Sequence, residues 1–120
     1  DWIHVRDHCR GIDAALRKGQ PGEVYNFGGD CELTNMELTH RLLDALGKPR
    51  TLIRHVADRP GHDLRYAIDP SALYNELGWA PKHTDFEDGL RATIDWYRAN
   101  ESWWGPLKEN VEATYAERGQ

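Results

Sequence analysis

Cysteine is scarce: Cys9 and Cys31 are the two in 120 residues, and they lack a Cys-x-x-Cys spacing. That excludes the disulfide framework of a secreted domain and leaves two reduced thiols in a cytoplasmic protein as the simplest reading. No apolar run approaches membrane-span length, and the amino terminus has neither a basic nor an apolar leader region, so no membrane partner is expected. Clusters of Lys and Arg are missing as well. With 15 basic against 20 acidic residues and a net charge of -5, no nucleic-acid partner is expected. Gly28-Gly29 lacks the spaced third glycine of a dinucleotide fingerprint, and neither Ser71 nor Ser102 sits in an elbow motif. An opening methionine is also absent. Asp1-Trp2-Ile3-His4-Val5 reads as a strand already under way, which predicts that this chain is a piece of a longer one.

What is present is enough for one domain with a single core. After the strand Trp2-Val5, Asp7 is the expected N-cap of a helix whose inward positions are Val5, Cys9, Ile12, Ala15 and Leu16, ending near Gly19. Glu23-Val24-Tyr25-Asn26-Phe27 reads as a second strand, with Asn26 near its carboxyl end, where open α/β sheets place ligand contacts. Thr34 and Glu37 make a capping box for a helix with Leu38, Leu42, Ala45 and Leu46 inward, stopped by Gly47 and Pro49. Leu52 to Val56 reads as a short strand, and Leu64, Tyr66 and Ile68 alternate along another. Asp69-Pro70 opens a short helix with Leu73 and Leu77 inward and Gly78 at its end. Thr84 and Glu87 predict a second capping box, followed by a helix facing Phe86, Leu90, Ile94 and Tyr97 inward. A weaker amphipathic tail follows Trp103-Trp104-Gly105-Pro106, with Leu107, Val111 and Tyr115.

Chemistry concentrates in Asp58-Arg59-Pro60-Gly61-His62-Asp63-Leu64-Arg65-Tyr66. A Pro-Gly turn fixes the backbone, and two guanidiniums, an imidazole and a phenol surround it, the donor set that grips a phosphate. The same residues also make an ordinary solvated turn, and the loop alone leaves both readings open. His4, His8 and Cys9 form no expected metal site, because the strand-to-helix break removes a shared helical face. His40, His55 and His83 fall on polar faces and read as solvated. Trp2, Trp79, Trp103 and Trp104 read as core or interface aromatics.

Asp1-Trp2-Ile3-His4-Val5, Asp7-His8, Val24-Tyr25-Asn26-Phe27-Gly28-Gly29, Asp58-Arg59-Pro60-Gly61-His62-Asp63, Arg65-Tyr66-Ala67-Ile68-Asp69, Leu77-Gly78-Trp79 and Trp96-Tyr97 together resemble the carboxyl-terminal third of a dTDP-glucose 4,6-dehydratase. Such enzymes are extended short-chain dehydrogenases, with an NAD-binding Rossmann domain and a smaller sugar-nucleotide domain. The resemblance implies a mixed α/β fold, a helix-dominated fragment with a small sheet of short strands. Residues 1–104 correspond to the substrate-binding part and residues 105–120 to a tail helix. It further implies a lyase that oxidises the sugar at C4 with NAD⁺, eliminates water across C5 and C6 and returns the hydride to C6. The product, dTDP-4-keto-6-deoxyglucose, serves deoxysugar and cell-surface polysaccharide synthesis.

The family's Tyr-x-x-x-Lys pair is missing. Tyr25, Tyr66, Tyr74, Tyr97 and Tyr115 are followed four places on by Gly29, Pro70, Gly78, Glu101 and Gly119. The chain alone is therefore expected to bind no NAD and to be inactive, with no catalytic or metal-ligating residue. What carries over from the family is substrate binding, at Asn26, Arg59, His62 and Tyr115. The expected partners are a dTDP-sugar and either a second copy of the chain or a missing amino-terminal Rossmann part. The alternative is a truncated, self-associating module without enzymatic activity.

Overall fold

A computed structural model describes residues 1–58 and 60–117, with side chains apart from residue 110 and residues 113–117. Two compact units divide the chain, Asp1–Gly89 and Leu90–Gln120. The element order is α1 (Val5–Lys18), α2 (Asn35–Leu46), a 3-10 turn (Arg50–Leu52), α3 (Ser71–Leu77), α4 (Phe86–Ala99) and α5 (Glu101–Glu117).

The expected α/β character is wrong: among the described residues there is no strand and no sheet. A strand exists only when its sideways N–H and C=O groups find another backbone over several residues. The segments expected as strands run extended yet make no such ladder. Trp2 N–H donates to Cys31 O at 2.8 Å, an isolated bond between segments that otherwise pass each other. The stretch expected as a strand from Leu52 begins instead in the 3-10 turn, where Ile53 N–H bonds Arg50 O.

Helix α1 starts earlier than expected. His4, not Asp7, is its N-cap, and its Nδ1 accepts from Arg6 N–H at 3.2 Å. Asp7 lies within the first turn and is fully buried. The helix is also rotated relative to the expected face. Gly11 turns inward, and a Cβ there would lie 2.4 Å from the Phe27 ring, so glycine permits the close approach. Ala14, Ala15, Ile3, Tyr25 and Phe27 pack around Leu73, Leu77 and Trp79. Completely burying a leucine such as Leu73 contributes about 1.5–3 kcal/mol. Val5, Ile12 and Leu16, expected in the core, are instead 63%, 49% and 83% exposed.

Helix α2 carries the expected capping box, Thr34 accepting from Glu37 N–H while Glu37 accepts from Thr34 N–H, and Gly47 ends it in the left-handed region at φ 62°. Helix α3 ends at Gly78 as expected. Its N-cap is Pro70, and Asp69 Oδ1 accepts from Ser71 N–H. The box expected at Thr84 is displaced by one residue, since Asp85 Oδ1 accepts from Asp88 N–H at 2.9 Å. In the second unit the helical path resumes directly after Asn100, whose side chain bonds Trp96 O. Trp96 meets Trp103 edge to face at 5.5 Å and Tyr97 meets Trp104 at 6.1 Å. Helix α5 runs through Pro106.

His83 is not a solvated surface histidine. Its N–H and Nδ1 reach Asp7 Oδ2 at 2.8 and 2.9 Å, and Arg10 Nη1 reaches Asp7 Oδ1 at 2.7 Å. His4 stacks on the His83 ring at 3.9 Å. Burial pushes the Asp7 carboxyl up, but hydrogen bonds from the backbone of His83 and Lys82 and the side chains of His83 and Arg10 prevail and lower it from 3.8 to about 2. Burial and the neighbouring His83 lower His4. A depressed carboxyl contributes stability above its unfolded pKa and loses it as pH falls through the folded value. Urea unfolding should therefore show about 2 kcal/mol of stability draining away between pH 4 and pH 2, a loss that Asp7→Asn abolishes while destabilising the protein at pH 7. An unchanged urea midpoint at pH 7 in the variant would contradict this role.

Candidate functional site

Three segments of the first unit close around a cavity of about 640 Å³: Asp1 and Trp2, the stretch from Glu32 into the first turn of α2, and His62 to Tyr66. Local chemistry fixes each wall. Asp1 Oδ1 accepts from Gly29 N–H at 2.9 Å, pinning the start of the first wall to the turn after Gly28. The glycines there serve that close passage. A Cβ on Gly29 would lie 2.1 Å from Trp2 O and one on Gly28 would lie 2.8 Å from Asp1 Oδ2, which leaves no cradle for a cofactor. Trp2 Nε1–H donates to Leu33 O at 2.9 Å and holds the indole against the second wall. Hydrogen bonds from Thr34 keep the Glu37 carboxylate below its ordinary range.

The third wall is the polar loop. Gly61 bends it at φ 70°. His62 Nδ1 lies 2.6 Å from Asp58 Oδ1. Arg65 Nε donates to Glu32 Oε2 at 2.8 Å, with Nη2 on the same oxygen, and the Tyr66 hydroxyl donates to Asp63. These donors are thus held by carboxylates. The pairs are exposed and individually weak, so a more highly charged anion can displace them. Asp1, Glu32, Glu37 and Asp63 give the lining an acidic balance against Arg65 and His62.

The expected site residues fare differently. His62 lines the cavity. Asn26 is exposed and not among the lining residues. Arg59 lies outside the described residues, as does the side chain of Tyr115, whose backbone belongs to α5. Trp2, Glu32 and Asn35 were not expected here. The Arg65–Glu32 pair joins residues 33 apart and leaves no local sequence signal. No group of three or more His, Cys, Asp or Glu able to hold a metal occurs among the described residues.

Comparison with known proteins gives consistent relatives. The family described as GDP-mannose 4,6 dehydratase matches residues 1–93. A dTDP-glucose 4,6-dehydratase of Mycolicibacterium smegmatis is 58% identical over the whole chain, and one from Mycobacterium tuberculosis 56%, each match covering 36% of the relative. DesIV, a dTDP-glucose 4,6-dehydratase of Streptomyces venezuelae solved with NAD and TYD bound, superposes with TM-score 0.81 at 52% identity, covering 89% of this chain and 33% of that one. The Bacillus anthracis dTDP-glucose 4,6-dehydratase in complex with NAD gives TM-score 0.78 at 51% identity, with the same coverage. The chain thus spans 36% of the length of the curated relatives just named. These matches bear out the resemblance to such dehydratases; they do not bear out its placement at the carboxyl end.

Because the capping box holds the second wall, Thr34→Ala should speed amide exchange in the first turn of α2 by about fivefold. Exchange measured by NMR that is unchanged at Asn35 to Leu38 would show that the box contributes nothing to the wall.

Proposed function

The chain belongs to the family described as GDP-mannose 4,6 dehydratase, and on that premise we propose that it is the dTDP-sugar-binding portion of an NAD-dependent dTDP-glucose 4,6-dehydratase, inactive by itself and cytoplasmic. One observation carries the reading: the segment bearing His62 and Arg65 forms a wall of the roughly 640 Å³ cavity, while no tyrosine in the sequence has its partner lysine. The residues present do not fit NAD, since Gly28 and Gly29 are filled by the passing backbone and side chain of Asp1 and Trp2. On this reading the cofactor and its hydride chemistry are supplied by the roughly two thirds of the relatives' length that this chain, covering 36% of them, does not span.

The chain's own residues bind and orient. A diphosphate approaching the loop meets Arg59 and the imidazole of His62, and displaces Asp58 from His62 by its greater charge. Asn26 and Tyr115 are the remaining residues assigned to the substrate. The carboxylates of Glu32 and Asp63 repel the diphosphate. The same carboxylates accept hydrogen bonds from neutral hydroxyls. A second reading, a self-associating module without activity, is favoured by the exposed apolar face of α1.

Titration calorimetry with dTDP-glucose should show binding by the full chain, weakened about tenfold or more by Arg59→Ala and by His62→Ala through loss of a charge-assisted bond. Incubation with dTDP-glucose and NAD⁺ should yield no 4-keto product above blank. Unchanged affinity in both variants would remove the loop from the site, and product formation would overturn the assignment of inactivity.

A further inference from the structure

Both basic side chains of the cavity lining are paired with acids. His62 Nδ1 lies 2.6 Å from Asp58 Oδ1, and Arg65 is held by Glu32. The second pair is incomplete. Arg65 sets Nε, at 2.8 Å, and Nη2 on a single carboxylate oxygen, Oε2, where a full fork would use both oxygens. Nη1 of Arg65 and Oε1 of Glu32 have no partner among the described residues, so the guanidinium is held at one edge only.

The two members of the pair differ in freedom. Glu32 stands between Cys31 and Leu33, whose carbonyls accept from Trp2 N–H at 2.8 Å and from Trp2 Nε1–H at 2.9 Å, so its backbone is fixed on both sides. Arg65 reaches it on a long side chain that is 68% exposed, and the Glu32 side chain is itself 50% exposed. Water therefore replaces the guanidinium when it leaves, and no buried charge is stranded. Asp7 is the contrast: it is fully buried, and Arg10 cannot leave it without that cost. Of the Glu32–Arg65 pair, the arginine is the partner able to move.

A carboxylate carries one negative charge and a diphosphate more, so a diphosphate competes for the same donors with the advantage in charge, whereas a neutral hydroxyl does not. We propose that Arg65 is a further anion-binding residue of this cavity, stored on Glu32 in the free chain and transferred to a diphosphate group when one enters. Glu32 then sets the charge that a ligand must exceed to take the arginine. This rests on the sugar-nucleotide reading and adds a third donor to Arg59 and His62.

Arginine Nε–H NMR of the full chain, with the Arg65 signal assigned by its loss in Arg65→Lys, tests the transfer. Inorganic pyrophosphate and dTDP-glucose should each move that signal, and thymidine, which has no phosphate, should not. Calorimetry should show dTDP-glucose binding weakened about tenfold by Arg65→Ala and tightened about threefold by Glu32→Gln, with helical circular dichroism unchanged in both. In the Arg65→Ala background Glu32→Gln should bring little of that gain. A still Nε–H signal, a Glu32→Gln variant that binds no tighter, or equal tightening with and without Arg65, which would reduce Glu32 to plain repulsion, would each overturn the proposal. Affinity lost in Arg59→Ala and His62→Ala but kept in Arg65→Ala would sink the proposal alone. A pyrophosphate response without dTDP-glucose binding would uphold the transfer and sink the sugar-nucleotide reading.

Discussion

A buried carboxylate sets the geometry of the first unit. Asp7 has no exposure to water, and leaving it unpaired there would cost several kcal/mol. Four donors from one arginine and from the backbone and ring of the 82–83 segment satisfy it. That requirement fixes the rotation of α1. Once Asp7 points inward, Gly11, Ala14 and Ala15 follow at helical spacing, and the larger apolar residues are carried to the outside. The residues just before α1 are placed by the same rotation, which is how Asp1 and Trp2 come to form one wall of the cavity.

Local signals in the sequence were legible where a few adjacent residues decide the outcome. The capping box of Thr34 and Glu37, the stop at Gly47 and the stop at Gly78 all stand as expected. Cross-chain outcomes were not. Alternation along residues 64–68 is a strand pattern, but without a partner backbone it yields an extended segment and no ladder. The apolar stripe of α1 has core spacing and lies outside, while Asp7 on the other side of the helix faces inward, fully hydrogen-bonded. His83 looked solvated because Asp7, its partner, is 76 residues away.

The candidate site shows the same division. The loop from Asp58 to Tyr66 was recognisable by residue type, and it does border a cavity through His62 and Arg65. Its electrostatics were hidden. Sequence reading counts arginines and histidines as available donors, whereas folding hands Arg65 to Glu32 and His62 to Asp58. Such pairing holds the donors in position, and on the proposed function an arriving anion replaces the carboxylates. Binding of this kind weakens with salt and favours ligands of higher charge. No tyrosine of the sequence has a lysine four places on, so the Tyr-x-x-x-Lys pair of the resembled family does not occur in these residues.

Backbone amide NMR of the full chain during titration with thymidine diphosphate tests the claim that this loop is the binding site most directly. Shifts confined to Glu32–Asn35 and to the loop from Asp58 to Tyr66, with Val5, Ile12 and Leu16 unmoved, are what the account predicts. A saturating set of shifts elsewhere, with the loop silent, would contradict it.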